Sequence, residues 1–303
     1  MATTTTPAVT ILVSGASGKL GALVVDALVK KRGAGVRVIA GSRDVSKLSG
    51  AIAQGAEARA VDFDKPDELA ASFAGVDRLV LVSTDAIGRR AEQQLAAIAA
   101  AKQAGVKHIL YTSLAKADTS AITVLAGDHV ATEAALKASG VAFTILRNNW
   151  YHENLLMSLP QNLARGVWAT SAGEGRVAYT ARADQAAAAA RAALDAPKYA
   201  GRTLELSGPD RLTTAEVAAL ATKVFGKPLA VAAVTDEALK GILTGAGLPE
   251  FLIGLLLSID AGIRAGALDV TSGDLEELLD GAAPQRLEDY LRANAPAYTG
   301  AQQ

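Results

Sequence analysis

Seven residues constrain this chain more than any others: Gly15-Ala16-Ser17-Gly18-Lys19-Leu20-Gly21, a GxxGxxG run directly after the apolar stretch Val9 to Val13 and directly before an amphipathic helical pattern. A strand, a glycine loop and a helix in that order let the backbone turn tightly and approach a pyrophosphate, whose charge is held by free N–H groups at the helix N-terminus. The alternative, a glycine-rich turn without a ligand, is the weaker reading in this setting. The loop therefore implies a dinucleotide site.

The rest of the chain supplies the sheet that such a loop needs. Short β-branched runs alternate with alanine-rich segments, the pattern of βαβ units. Strands are expected at Val9 to Val13, Arg37 to Gly41, Glu57 to Val61, Arg78 to Ser83, His108 to Thr112, Ala142 to Arg147 and Thr203 to Leu206. Helices are expected at Leu20 to Lys31, Lys47 to Ala53, Pro66 to Phe73, Arg90 to Ala104, His129 to Ser139 and Ala183 to Ala196. Runs such as LVLVS and ILYTS are continuously apolar, as strands covered on both faces are. The fold class is α/β, a doubly wound parallel sheet.

After Leu206 helix signals dominate. Thr213 with Glu216 three residues later has the spacing of a capping box, which predicts a helix over Thr214 to Phe225. Further helices follow at Asp236 to Leu243, Glu250 to Ile259 and Asp274 to Asp280. The expected division is a nucleotide-binding domain over residues 9–206, with 150–180 contributing to a cleft, and a small, mostly helical C-terminal substrate lobe over 207–296.

Composition excludes several functions. Among 303 residues Lys+Arg 30 balance Asp+Glu 31, a formal net charge of -1, so there is no cationic excess for sequence-independent nucleic-acid binding. There is no cysteine and there are three histidines, His108, His129 and His152, which leaves no disulfides, no thiolate metal site and too few ligands for a histidine metal site. Met1 to Ala8 is threonine-rich without a signal-peptide pattern, and Phe251 to Leu257 is too short to span a membrane, so a cytoplasmic setting without membrane association is expected. Apolar C-terminal helices leave a homodimer open.

The tip of the second strand decides which dinucleotide fits, since an acid there binds a ribose and an arginine pairs with a 2′-phosphate. It reads Ala40-Gly41-Ser42-Arg43-Asp44. Arg43 offers a planar charged fork and Ser42 a hydroxyl, so NADPH is favoured, while Asp44 one residue later keeps NADH open. Asp62 and Phe63 end the third strand, where a carboxylate and a ring would meet the adenine. Ser83 and Thr84 end the fourth, beside the cofactor or as turn caps.

The chemistry is shaped by an absence. A carbonyl reductase of this fold class needs a tyrosine acid lowered by a lysine one helical turn away, and no Tyr-x-x-x-Lys occurs in the chain. At the corresponding helix stands His129-Val130-Ala131-Thr132-Glu133, where an imidazole oriented by a carboxylate and a plain i,i+4 surface pair are both open. A quinone demands little acid help, because its two-electron product is phenolate-like, with a parent acid near ~10 against roughly 15.7 for water. Positioning then suffices. The segment Arg147-Asn148-Asn149-Trp150-Tyr151-His152-Glu153-Asn154 gathers amide, aromatic and ionisable groups suited to a ligand, or to an aromatic seat for the second lobe. Ser113-Leu114-Ala115-Lys116 matches SxxK but sits at a strand exit, without the motifs that accompany it in penicillin-binding enzymes.

Together, GASGKLG, Arg43, Tyr111-Thr112-Ser113-Leu114 with Ala117-Asp118-Thr119-Ser120, HVATE, LRNNWYHEN, and near the end Gly266-Ala267-Leu268-Asp269 and Leu278-Leu279-Asp280-Gly281 resemble the NmrA-like branch of the atypical short-chain dehydrogenases, and within it the quinone oxidoreductases. The likeness runs from about Thr10 to Asn294. It implies a Rossmann-type domain, NADPH as hydride donor and a quinone-like acceptor in the interlobe cleft. Carried over, the cofactor residues are Gly15, Ala16, Ser17, Gly18, Lys19, Leu20, Arg43, Ser83, Thr84, Asp85, Asn148, Asn149, Trp150, Tyr151 and Glu153, and the residues shaping catalysis are Tyr151, His129 and Asn148. Asn149 stands where a glycine, and His152 where a serine, is expected in the related pattern. The same branch holds triphenylmethane dye reductases and redox-sensing regulators, which fold alone does not separate.

Overall fold

The computed structural model describes residues 9–299; the threonine-rich start and the last four residues lie outside the described part. Eleven strands are present in chain order: β1 Val9–Val13, β2 Val36–Ser42, β3 Glu57–Ala60, β4 Arg78–Leu81, β5 His108–Leu114, β6 Ala142–Asn148, β7 Val167–Thr170, β8 Val177–Tyr179, β9 Thr203–Leu206, β10 Asp210–Leu212 and β11 Ala230–Ala233. Seven form one sheet in the order β3-β2-β1-β4-β5-β6-β9. Every pairing in it is parallel.

Side-chain alternation along β1 explains the two covered faces. Ile11 and Val13 join a core with Val24, Val25 and Leu28 of the Lys19–Lys31 helix and the alanines of the Arg182–Leu194 helix. Leu12 points the other way, into a core with Phe73, Ile98, Tyr111 and Leu136. Alanines at 188, 189, 190, 192 and 193 are fully or almost fully buried, which lets the two helices on that face approach closely. Strand order reverses at β1, so the loops after β1 and β4 diverge and leave a crevice at the carboxyl ends of the strands.

A third core joins chain segments far apart in sequence. Leu155, Leu159, Leu163, Val177 and Tyr179 pack with Val217, Ala221, Ile259, Ile263, Leu287 and Leu291. Two small sheets stitch the same regions: β7 pairs β11 in parallel, and β8 pairs β10 antiparallel. The Asp274–Leu278 helix returns to the central sheet, where Leu275 and Leu278 are buried in the first core. The Thr213 capping box is present, with Glu216 reaching back to the Thr213 N–H at 2.8 Å.

Several element bounds differ from the sequence expectation for local reasons. The helix expected from His129 starts at Thr123, with no side-chain cap to mark its origin. The segment expected as Lys47 to Ala53 is a 3-10 turn, Val45–Leu48, capped by Asp44 and running into the Ser49–Ala53 helix. β4 ends at Leu81 because the Ser83 N–H turns to the hydroxyl of Thr112 at 2.9 Å. β7, β8, β10 and β11 are three or four residues long, too short for a period-two pattern to show, and were not expected.

Candidate active site

The crevice holds a cavity of about 620 Å³, within the usual range for ligand sites. Its floor is the glycine loop. Gly15 has φ +61°, a left-handed conformation that L side chains rarely adopt, and a Cβ on Gly21 would stand 2.3 Å from the Gly15 carbonyl oxygen. The loop is thereby packed against the first turn of its helix. Gly18 is the N-cap and no side chain satisfies the first N–H groups, so a 13-residue helix presents uncapped donors and its positive dipole end to the cavity at Lys19, Leu20 and Gly21. The Ser17 and Ser42 hydroxyls meet at 2.9 Å and tie the loop to the tip of β2.

At that tip Arg43 lines the cavity, exposed, and no carboxylate among the described residues lies within 4.0 Å of it. Asp44 does not line the cavity. Its carboxylate accepts from the Ser46 N–H at 3.1 Å and the Ser46 hydroxyl at 2.6 Å, and these bonds hold it below its ordinary pKa. The free fork at this tip belongs to Arg43, and the residues fit a phosphate better than a bare ribose. Asp62, Phe63, Ser83, Thr84 and Asp85 also line the cavity. Thr84 donates to Gln93 at 2.9 Å, and Gln93 donates to Asp64 at 2.9 Å, which joins the loops after β3 and β4.

The other end is built after β6. Asn148 is buried, and its amide nitrogen donates to the Tyr151 hydroxyl at 2.9 Å. Tyr151 is half-buried and lines the cavity together with Arg182, whose guanidinium carbon lies 4.7 Å from the tyrosine ring centroid. Burial pushes the Tyr151 phenol above its ordinary pKa, which makes it a poor proton donor. Glu153 accepts from the Arg182 backbone N–H with both oxygens at 3.2 Å, fixing the start of that helix.

Six expected site residues do not line the cavity. Ala16 is buried, with its N–H on the Gly41 carbonyl at 2.9 Å. Asn148 reaches the cavity through Tyr151. Asn149 bonds the Leu268 carbonyl at 3.2 Å, and Trp150 packs on the third core, so both tie the segment after β6 to the later part of the chain. Glu153 is a helix anchor. His129 is buried, its Nδ1 on the Tyr111 hydroxyl at 2.7 Å and its Nε2 on Arg90 at 3.2 Å. Glu133 does not orient that imidazole; it takes a bidentate pair from Arg147 at 2.9 and 2.8 Å and a bond from the Ser113 hydroxyl at 2.7 Å. Lys116, the end of the SxxK match, spans to the carbonyls of Gly266 and Asp269 at 3.0 and 2.9 Å, a structural tie.

Asp64, Arg89, Gln93 and Arg182 line the cavity and were not expected. Arg182 carries no local motif; the pairing of Tyr151 with Thr180 and the Glu153 bonds to its N–H bring it beside the residues after β6. Among the described residues no cluster of metal-ligating side chains occurs and no helix is long and apolar enough to cross a membrane.

A reversed-order parallel sheet with a glycine loop at its switch point defines a dinucleotide-binding α/β protein of Rossmann type. The chain belongs to the NmrA-like family, whose model matches residues 7–290. It is 39% identical to quinone oxidoreductase 2 of Escherichia coli over 269 residues, 89% of this chain and 93% of that protein. The crystal structure of an NADPH-dependent quinone oxidoreductase of Escherichia coli complexed with NADPH superposes with a TM-score of 0.89 at 37% identity, covering 93% of this chain and 99% of the other. The Citrobacter sp. triphenylmethane reductase complexed with NADP(H) superposes with a TM-score of 0.86 at 34% identity, covering 93% and 99%.

Proposed function

We propose that this protein is an NADPH-dependent oxidoreductase whose acceptor is a quinone or a similar conjugated ring system. The observation that carries the reading is the two-ended cavity: an uncapped helix N-terminus and the unpaired Arg43 at one end, the Tyr151 ring at the other. The likeness to the quinone oxidoreductase of Escherichia coli supports it over most of both chains.

NADPH would supply a hydride at the Tyr151 end. The chain's own residues bind and orient. Gly15 through Gly21 cradle phosphate, Arg43 and Ser42 take the 2′-phosphate, and Phe63 with Asp62 borders the adenine. Asn148 fixes the Tyr151 hydroxyl and with it the ring against which a planar acceptor lies. Neither His129, enclosed between Tyr111 and Arg90, nor Tyr151, with its raised pKa, supplies an acid, and a quinone requires none beyond solvent. Proximity and orientation account for the rate. The cytoplasm is the compartment this reading assigns, and a chain without cysteine is compatible with its reducing setting. The test is NADPH oxidation on adding benzoquinones or naphthoquinones, with a dinucleotide-binding assay beside it; tight binding without turnover would make the protein a sensor instead.

A further inference from the structure

Three cations line the cavity with no carboxylate within 4.0 Å among the described residues: Lys19, Arg43 and Arg182. The first two stand at the glycine loop and the β2 tip, where the phosphates of a dinucleotide account for them. Arg182 opens the Arg182–Leu194 helix, which packs on the Lys19–Lys31 helix, and its guanidinium lies over the ring of Tyr151, which follows β6, rather than at the β2 tip. A half-buried, permanently charged guanidinium held over a ring, at the acceptor end and without a counter-ion, is left with donors free to meet an anion. Glu153 is the nearest candidate by sequence and does not serve, because both its oxygens are turned to the Arg182 backbone N–H.

On the quinone-reductase reading, we propose that Arg182 binds an anionic oxygen of the acceptor. Hydride transfer breaks the donor C–H bond, reduces the quinone by two electrons and leaves a hydroquinone monoanion, which then takes one proton from solvent. Arg182 stands where that monoanion forms and stabilises it as it develops, the role a preorganised cation plays in a partly dry site. The same geometry selects acceptors that already carry an ionised oxygen on the ring, such as 2-hydroxynaphthoquinones at neutral pH.

The experiment titrates the NADP+-loaded protein with 2-hydroxy-1,4-naphthoquinone and with neutral 1,4-naphthoquinone, in wild type and Arg182→Gln. The expected result is about tenfold tighter binding of the anion than of the neutral ring in wild type, a preference lost in Arg182→Gln, with the NADP+ dissociation constant unchanged within about twofold. A preference absent from wild type, or surviving the substitution, overturns the inference. So does an equal loss for both rings with weakened NADP+ binding, which would make Arg182 a cofactor or wall residue. Wild-type turnover of neutral quinones is measured alongside. Brisk turnover without an anion preference removes only the role of Arg182, whereas an Arg182-dependent anion site with no turnover of any quinone removes the reductase reading.

Discussion

Arg90 and His129 meet at 3.2 Å in a buried contact that only a neutral imidazole can make. A guanidinium has donors alone, so Nε2 accepts and the proton resides on Nδ1, facing the Tyr111 hydroxyl at 2.7 Å. Burial, reinforced by the Arg90 charge, pushes the imidazole down to about 3. Arg90 also donates from Nε to the Thr84 carbonyl at 2.6 Å, at the rim of the cavity. His129 is therefore tied to the cavity rim through Arg90, and on the proposed reading it is a positioning residue. His129→Leu leaves two buried polar partners unsatisfied, and a loss of about 2–4 kcal/mol in unfolding free energy is expected by chemical denaturation. NADPH should bind more weakly while the pH profile of turnover keeps its shape; a lost limb in that profile would instead make His129 a proton carrier.

All three histidines share this depression. His108 and His152 are pushed to about 4, in both cases chiefly by burial. Folded values below the ordinary 6.5 mean that the unfolded chain takes up protons first as pH falls. The stability held by neutral imidazoles is thus fully present above pH 6.5 and is lost between 6.5 and about 4 for His108 and His152, by up to about 3 kcal/mol each, and down to about 3 for His129. Melting temperature should decline steadily across that window. Among the described residues neither ring nitrogen of His152 makes a well-formed hydrogen bond, and the ring lies 5.1 Å from that of Tyr290, so His152→Phe should make the decline shallower and raise the melting temperature at pH 7.

Two glycines in one loop should respond differently to the same methyl group. At Gly21 an added Cβ meets the Gly15 carbonyl oxygen at 2.3 Å and its carbon at 2.7 Å, whereas at Gly18 it meets the same oxygen at 3.2 Å. Gly21→Ala should cost about 1–3 kcal/mol of stability and at least about tenfold in NADPH affinity, with a smaller effect for Gly18→Ala. Equal effects in a fluorescence titration would contradict this packing.

Legibility in the sequence followed the length and strength of each local signal. The glycine loop, the seven strands of the central sheet and the capping box at Thr213 stood out because each is decided by neighbours in the chain. Arg182 and Gln93 were not legible, since long-range pairing brings them to the cavity, and Asp64, two residues past Asp62 in the same loop, carries no signal that sets it apart. Asn149 and Trp150 look like ligand residues for their polar and aromatic chemistry, yet that chemistry is used to hold the Leu268 carbonyl and to pack on the third core. Sequence could place His129 and Glu133 on one helix face, but not show that Arg90 and Arg147 claim them separately.

Tyr151→Phe separates ring from hydroxyl. Because the raised phenol is a poor acid and only Asn148 bonds it, turnover should stay within about tenfold of wild type. A loss of a thousandfold in kcat would assign the proton to Tyr151.

Arg43→Gln should weaken NADPH by about 10- to 100-fold and leave NADH nearly unchanged, since on the proposed reading Arg43 would make charge-assisted bonds specific to the 2′-phosphate. Loss for both nucleotides alike would shift the discrimination away from this tip.

The most direct measurement follows NADPH absorbance in purified protein with and without a panel of benzoquinones and naphthoquinones, with NADH in parallel. The expected result is acceptor-dependent oxidation of NADPH well above that of NADH. Saturable NADPH binding with no oxidation on any acceptor would contradict the reductase account.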